Sequence, residues 1–514
     1  MTIRMTSRAL AAAAMLACLP RVAAAFPTCP ANAPMDGYTC DQQTGAGKAG
    51  GFFRVTFPSD WDGDLVIINH GFDLNDQHTR PHESCSDNAA QHCSQDSDCS
   101  MGNFCNNISY LGLDEILLPM GKAVAASTYH YSGWAVFGSN KDIKDVIKFV
   151  KKSDHGKDLK RVIITGFSGG GAVTGDAILK MKIDGAVPLC AAVGGGLPTW
   201  DVAQDVRLVY DFLCDDAPAV DPVPVSPRFN SQPDRGEPNT TNHSADDAQN
   251  VGIKVNNCFG NVGLIGPSSD PMLAAAQAQR LQDFIDLTNF TGAAKLPGGG
   301  ANVPGSDDLN VAAAMGFATL GLGDFVQDQS RMKGQRIGFN TGPDLDYSTL
   351  GVNPTLAATF DTDVERLPYQ KGRKILDKYS HPDFTKGKAA KVAYPILQMS
   401  GANDWLVIPE FQRVFNTALE ASSKAHTQTW INTFGHCVFT AEETTAVFNK
   451  FFEWLGPVGG PYGPQPTAAE VHQECIDIGG VDGDTCNFND TFVPGYLYNR
   501  IPERSDWPTA AKHP

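Results

Sequence analysis

The most constraining stretch of this 514-residue chain is Val162-Ile163-Ile164-Thr165-Gly166-Phe167-Ser168-Gly169-Gly170-Gly171-Ala172. A short β-branched run enters a Gly-x-Ser-x-Gly turn. A small-residue segment follows, and Ala177-Ile178-Leu179 continues it as a helix. The glycines at 166 and 170 allow a tight backbone and a close strand–helix approach. Such a turn holds Ser168 Oγ up and exposed at the end of a strand, the context that a nucleophile elbow requires.

Composition sets outer bounds on what surrounds that turn. With 42% hydrophobic and 19% charged residues, the chain can bury one large core or two. A formal net charge of −17 makes nucleic acid and an acidic membrane surface poor partners. The first residues read as an export leader. Arg4 and Arg8 precede the apolar run from Ala9 to Leu19, and Ala23-Ala24-Ala25 offers a cleavage site before Phe26. Cys18 follows Met15-Leu16-Ala17, a poor lipobox, so cleavage after Ala25 is expected. No later segment is long and apolar enough to anchor the chain in a bilayer, so a secreted or periplasmic protein is expected. Twelve cysteines remain after removal of Cys18, an even count that reads as disulfides in an exported chain. Cys29–Cys40 and Cys475–Cys486 look like local clips. The other pairings do not follow from spacing.

Along the chain, Gly51–Phe57 alternates as a strand and Leu65–Ile68 is a continuous apolar run, as in a strand buried on both faces. That run leads into His70-Gly71-Phe72. Residues 73–110 form a polar, cysteine-dense insertion with Cys85, Cys93, Cys99 and Cys105. The Cys-x2–4-Cys pairs of zinc knuckles are absent from it, so disulfides are expected there. His78 and His82 are four apart, but Pro81 between them argues for loop histidines. Lys122–Tyr129 is a second buried strand, Asp142–Lys152 an amphipathic helix, and Ala186–Val193 a further strand. Residues 197–385 break this pattern. They hold a Pro/Asp/Asn/Ser-rich loop at 215–248 and helices at Met272–Leu287 and Leu309–Leu322, and read as a mainly helical cap. Alternation resumes with strands at Ala393–Ser400 and Gln428–Thr433 and helices at Glu410–Ser422 and Ala441–Leu455. Strand–helix alternation on both sides of the insertion implies one α/β domain with a mostly parallel central sheet flanked by helices. The expected segments are a leader at 1–25, core at 26–196 and 386–456, cap at 197–385, and a disulfide-clipped tail at 457–514. Asp482, Asp484 and Asp490 in that tail lack the ordered ligand spacing of a calcium loop.

A serine hydroxyl is a weak nucleophile unless a base lies in hydrogen-bond reach and a carboxylate orients that base. Asp404 lies in Gly401-Ala402-Asn403-Asp404, after the strand that ends near Ser400, and His436 lies in Gly435-His436-Cys437, after the next strand. Each sits in a loop at a strand's carboxyl end, where open α/β sheets gather functional groups. Asp215, Asp361 and Asp363 are weaker candidates for the acid, because no buried strand directly precedes them. The oxyanion donors expected are the N–H of Gly169, just after the serine, and the N–H of Phe72, in the loop after Leu65–Ile68. His70 is expected to brace that loop.

With these residues in place, the chain resembles the α/β-hydrolase superfamily over roughly 50–197 and 390–456. The resemblance rests on Gly166-Phe167-Ser168-Gly169-Gly170, His70-Gly71, Gly401 to Pro409 and Gly435-His436, in the superfamily's order of Ser, acid, His. It implies an α/β-hydrolase fold and a Ser168–His436–Asp404 triad that needs no cofactor and no metal. The run from Gly435 to Glu443 also resembles secreted hydrolases of the prolyl-oligopeptidase-like and esterase type. Tannases and feruloyl esterases carry a Cys before the nucleophile, linked to a Cys after the catalytic His. Cys437 fits the second place and Phe167 stands in the first, so Cys437 pairs elsewhere or stays free. The expected function is a secreted serine esterase acting on a small-molecule or polymeric ester. The alternatives are a serine peptidase and a non-catalytic exported binding protein.

Overall fold

The computed structural model describes residues 34–35, 38–48, 51–72, 84–85, 105–106, 110–130, 133–214, 255, 257–260, 270–288, 345–350, 353–364, 366, 382, 392–404, 406–420 and 426–495. The expected leader at 1–25, Cys29, His78, His82, Cys93, Cys99, Asp215 and the Leu309–Leu322 segment lie outside them.

Among the described residues, nine strands form one sheet: β1 Pro34–Met35, β2 Tyr38–Ala46, β3 Phe52–Pro58, β4 Asp64–Asn69, β7 Ala123–Ser127, β8 Arg161–Phe167, β9 Gly185–Leu189, β10 Ile396–Asn403 and β11 His426–Phe434. Their order is β1-β2-β3-β7-β4-β8-β9-β10-β11. β1 to β3 are antiparallel to their neighbours, and every pair from β7 to β11 is parallel. A two-stranded antiparallel ribbon, β5 Ser84–Cys85 with β6 Cys105–Asn106, lies in the cysteine-dense insertion and sets Cys85 opposite Cys105. This is the α/β-hydrolase sheet that the sequence implies.

The central parallel strands β4 and β8 carry the continuous apolar runs Leu65–Ile68 and Val162–Ile164, because both of their faces are covered. Alternate residues serve opposite layers. Leu65, Ile67 and Ile164 pack with α2 (Val136–Lys152), α3 (Gly169–Lys180) and α7 (Pro409–Glu420). Val66, Ile68 and Ile163 face the other layer, with α1 (Asp114–Leu117), α8 (Ala441–Leu455) and α9 (Ala468–Asp477). Between β9 and β10 the described residues form helices α4 (Gly196–Cys214), α5 (Pro271–Thr288) and α6 (Pro354–Asp363) and a short 3-10 turn at Tyr347–Thr349.

Two differences from the sequence reading matter below. The strand expected at Ala186–Val193 ends at Leu189, because Cys190 turns the backbone to φ 41°. The tail also contains α9, started by a capping box in which Thr467 and Glu470 each accept the other's backbone N–H.

Three adjacent strands begin on a buried charge cluster. Arg161 grips Asp64 through two hydrogen bonds of 2.6 Å, and Lys122 Nζ adds a third at 2.9 Å. Burial works to raise the Asp64 pKa. Arg161 and Lys122 together outweigh it and hold the carboxyl below its usual value. The cluster sits at the opposite end of the strands from Ser168.

Candidate active site

The sheet register brings the candidate residues to one edge. Asn69 on β4 is level with Gly166 on β8, so 70–72 and 168–169 leave the sheet side by side. Phe167 on β8 is level with Leu189 on β9, and Asn403 on β10 is level with Phe434 on β11. Ser168, Asp404 and His436 therefore all emerge at the carboxyl end of the parallel strands, where adjacent loops form a crevice.

Ser168 adopts φ 56° and ψ −122°, a conformation that side chains rarely take. Its surroundings hold it there. Its N–H donates to the Leu189 carbonyl at 3.1 Å, and its own carbonyl accepts from Ala172 and Ala192. The glycines around it are demanded by space. A Cβ on Gly170 would lie 2.1 Å from the Asn69 carbonyl oxygen, and one on Gly166 would lie 2.5 Å from that of Gly170. α3 starts directly after Ser168, so the positive end of its dipole points at the serine.

The oxyanion candidates lie together. A Cβ built on Gly169 would meet Phe72 N at 3.0 Å, and one on Gly71 would meet Ser168 Oγ at 3.8 Å. Tyr129 supports that loop. Its hydroxyl donates to the His70 carbonyl at 3.0 Å, and its ring stacks on the His70 imidazole with centroids 4.1 Å apart. From α4, Trp200 packs against Phe72 at 5.7 Å and Trp134 at 5.6 Å between centroids.

Asp404 and His436 form a buried pair, with Nδ1 2.7 Å from Oδ2. The other carboxylate oxygen accepts the N–H groups of Leu406 and Val407, each at 2.9 Å. A carboxylate only accepts, so Nδ1 carries the proton, which in a neutral imidazole leaves Nε2 as the acceptor. His436 is flanked by Gly435 at φ 113° and Cys437 at φ 57°, a turn that a β-carbon at 435 would strain. Asp361, by contrast, accepts from Tyr347 N and Arg366 between α6 and the 3-10 turn, and Asp363 ends α6. In the tail, Asp482 and Asp490 flank the His472 ring at 3.2 and 3.3 Å.

Cys437 pairs with Cys190. Cys214–Cys258 and the expected Cys475–Cys486 clip are also formed. Among the described residues, only Cys190, His436 and Cys437 cluster like metal ligands, their atoms lying within 4.8 Å of one another. Both sulfurs are engaged in the disulfide, so the donor set of a thiolate site is not present. Cys190, Tyr129 and Trp200 escape the sequence reading. The even cysteine count points to disulfides without naming a partner for Cys437, and no local pattern marks the other two.

No protein-family model matches the sequence, and neither does any curated protein. Among solved structures, an acylaminoacyl peptidase of Pyrococcus horikoshii is similar with a TM-score of 0.36 and 10% identity, over 84% of this chain and 44% of that one. This chain thus spans under half the length of that peptidase. An esterase of Pyrococcus furiosus gives a TM-score of 0.35 and 12% identity over 82% and 92% of the two chains. An esterase from Aspergillus oryzae gives 0.39 and 12% over 79% and 77%. The fold assignment rests on the strand order and registers above.

Proposed function

We propose that this chain is an exported hydrolase of carboxylic esters. The observation that carries the reading is a strained Ser168 on the same sheet edge as a buried imidazole. That imidazole is fixed through Nδ1 by a carboxylate which is itself held by two backbone N–H groups.

In this reading Ser168 Oγ attacks the acyl carbon while His436 Nε2 takes its proton. The N–H groups of Gly169 and Phe72 receive the developing oxyanion. The imidazolium, steadied by Asp404, returns the proton to the leaving alkoxide. The resulting acyl-enzyme is opened by water that His436 activates in turn. These steps need no further group.

In this proposal the described residues of 197–385 belong to a cap, joined to the site by the contact of Trp200 with Phe72. Three buried or clipped disulfides suit an oxidising compartment. No helix among the described residues is long and apolar enough to cross a membrane.

Ser168→Ala should abolish hydrolysis of p-nitrophenyl esters and leave the circular dichroism spectrum and thermal melt unchanged. Turnover retained by that variant overturns the assignment. Matched ester and peptide substrates separate an esterase from a peptidase. A fluorophosphonate probe that labels the wild type and not Ser168→Ala separates both from a binding protein.

A further inference from the structure

β11, which carries His436, is separated from β8, which carries Ser168, by β9 and β10. At about 4.8 Å per strand, the imidazole must reach back across roughly 14 Å of sheet edge to meet the serine. Asp404 sits at the end of β10 and supplies one fixed point. The second lies further in. Cys437, the residue after His436, is bonded to Cys190 at the end of β9, with Cα atoms 5.3 Å apart and 247 residues between them in sequence.

Cys190 is itself tied to both neighbouring strands. Its N–H donates to the Met399 carbonyl of β10 at 2.8 Å. The residue before it, Leu189, accepts the Ser168 N–H at 3.1 Å. Cys437 Sγ lies 3.3 Å from His436 Nε2, the nitrogen that would act as base. Both cysteines hold positive φ, 41° and 57°. Such conformations persist only where the surroundings over-determine them. One covalent link thus ties the His436 loop to the backbone that presents Ser168.

We propose that the Cys190–Cys437 disulfide is the positioning element that sets His436 Nε2 over Ser168. This rests on the ester-hydrolase reading above. Cys190 touches no reacting atom. It acts through the loop and keeps the imidazole within the narrow range of positions in which proton transfer is efficient.

The double variant Cys190→Ala/Cys437→Ala should lose about tenfold to a hundredfold in kcat, the cost of a displacement near 1 Å. KM should change less than about twofold, because substrate binding does not use Nε2. Fluorophosphonate labelling should slow in step with kcat. In a His436→Ala background, removing the link should leave the residual rate unchanged, since the link acts through that side chain. The control pair Cys475→Ser/Cys486→Ser, which clips α9 to the loop that follows it and does not bridge the His436 and Ser168 segments, should keep its kcat.

A folded double variant with wild-type kcat and only a lower melting temperature overturns the proposal and leaves the triad standing. Activity in Ser168→Ala overturns both. Non-reducing peptide mapping of the wild-type protein provides an arm that needs no folded variant. The Cys190 and Cys437 peptides must run as one linked species, and finding them apart overturns the proposal.

Discussion

Asp404→Asn is the most discriminating single change at this site. In the native protein one carboxylate oxygen accepts two backbone N–H groups, from Leu406 and Val407, each at 2.9 Å. The other faces His436 Nδ1 at 2.7 Å. An amide in that place has one oxygen and one NH2 group. Its oxygen must stay with Leu406 and Val407, because the opposite flip sets NH2 against two buried donors. That conflict costs about 1–3 kcal/mol for each N–H left without an acceptor. The NH2 therefore points at Nδ1, which must become the acceptor, and the imidazole proton moves to Nε2. The base is then present in the wrong tautomer. The expected loss in kcat is about 10³- to 10⁴-fold, roughly 4–5 kcal/mol of transition-state stabilisation, with the fold intact. The assay is steady-state p-nitrophenyl acetate hydrolysis at pH 8, with a thermal melt of the same samples. Asp404→Ala separates catalysis from stability, because it leaves both backbone donors unsatisfied and should lower the melt where the amide does not. A folded Asp404→Asn protein with kcat within tenfold of wild type refutes the reasoning.

Gly170→Ala should cost at least about 2–3 kcal/mol in a urea melt, because its Cβ would meet the backbone carbonyl oxygens of Asn69 and His70 at 2.1 and 2.4 Å. Wild-type stability in that variant contradicts the packing of the elbow. Tyr129→Phe removes the hydroxyl that donates to the His70 carbonyl and should cost about 1 kcal/mol, with kcat falling more than KM rises; equal and opposite changes would speak against a role in shaping the oxyanion loop. Asp64→Asn should cost about 3–5 kcal/mol at pH 7, because Arg161 and Lys122 lose their buried counter-charge. Asp64 has a depressed folded pKa, so its contribution is complete above the unfolded value of about 3.9 and drains away as pH falls through the folded one. The stability gap between wild type and Asp64→Asn should therefore narrow below about pH 4, and a gap that widens there disproves the linkage.

What the sequence discloses of this protein is what local physics determines. Leu65–Ile68 and Val162–Thr165 read as strands because burial on both faces demands an unbroken apolar run. Gly166 and Gly170 read as an elbow because no side chain fits there. Asp404 and His436 each follow a strand of their own, so their loops could be matched to Ser168 without knowing the strand order. Other features were equally local and still escaped the reading. Thr440 with Glu443, and Thr467 with Glu470, spell the capping boxes that start α8 and α9. α4 is harder, because almost every residue from Gly196 to Asp211 is buried. Its Asp201, Gln204, Asp205, Arg207 and Asp211 are buried along with its apolar residues, so its polar side chains do not mark a solvent face. β2 is harder for the opposite reason. Its polar run Cys40-Asp41-Gln42-Gln43-Thr44 gains its place from pairing with β3 on one side and β1 on the other. The partner of Cys437 was hidden most deeply. Spacing is no guide across 247 residues, and the choice of Cys190 depends on β9 lying between β8 and β10 and stopping at Leu189. A strand running on to Val193, as the apolar run suggests, would place Cys190 inside a ladder and unable to turn towards the His436 loop. The early stop at Cys190 is thus part of how the chain ties the His436 loop after β11 to the backbone beside Ser168 after β8.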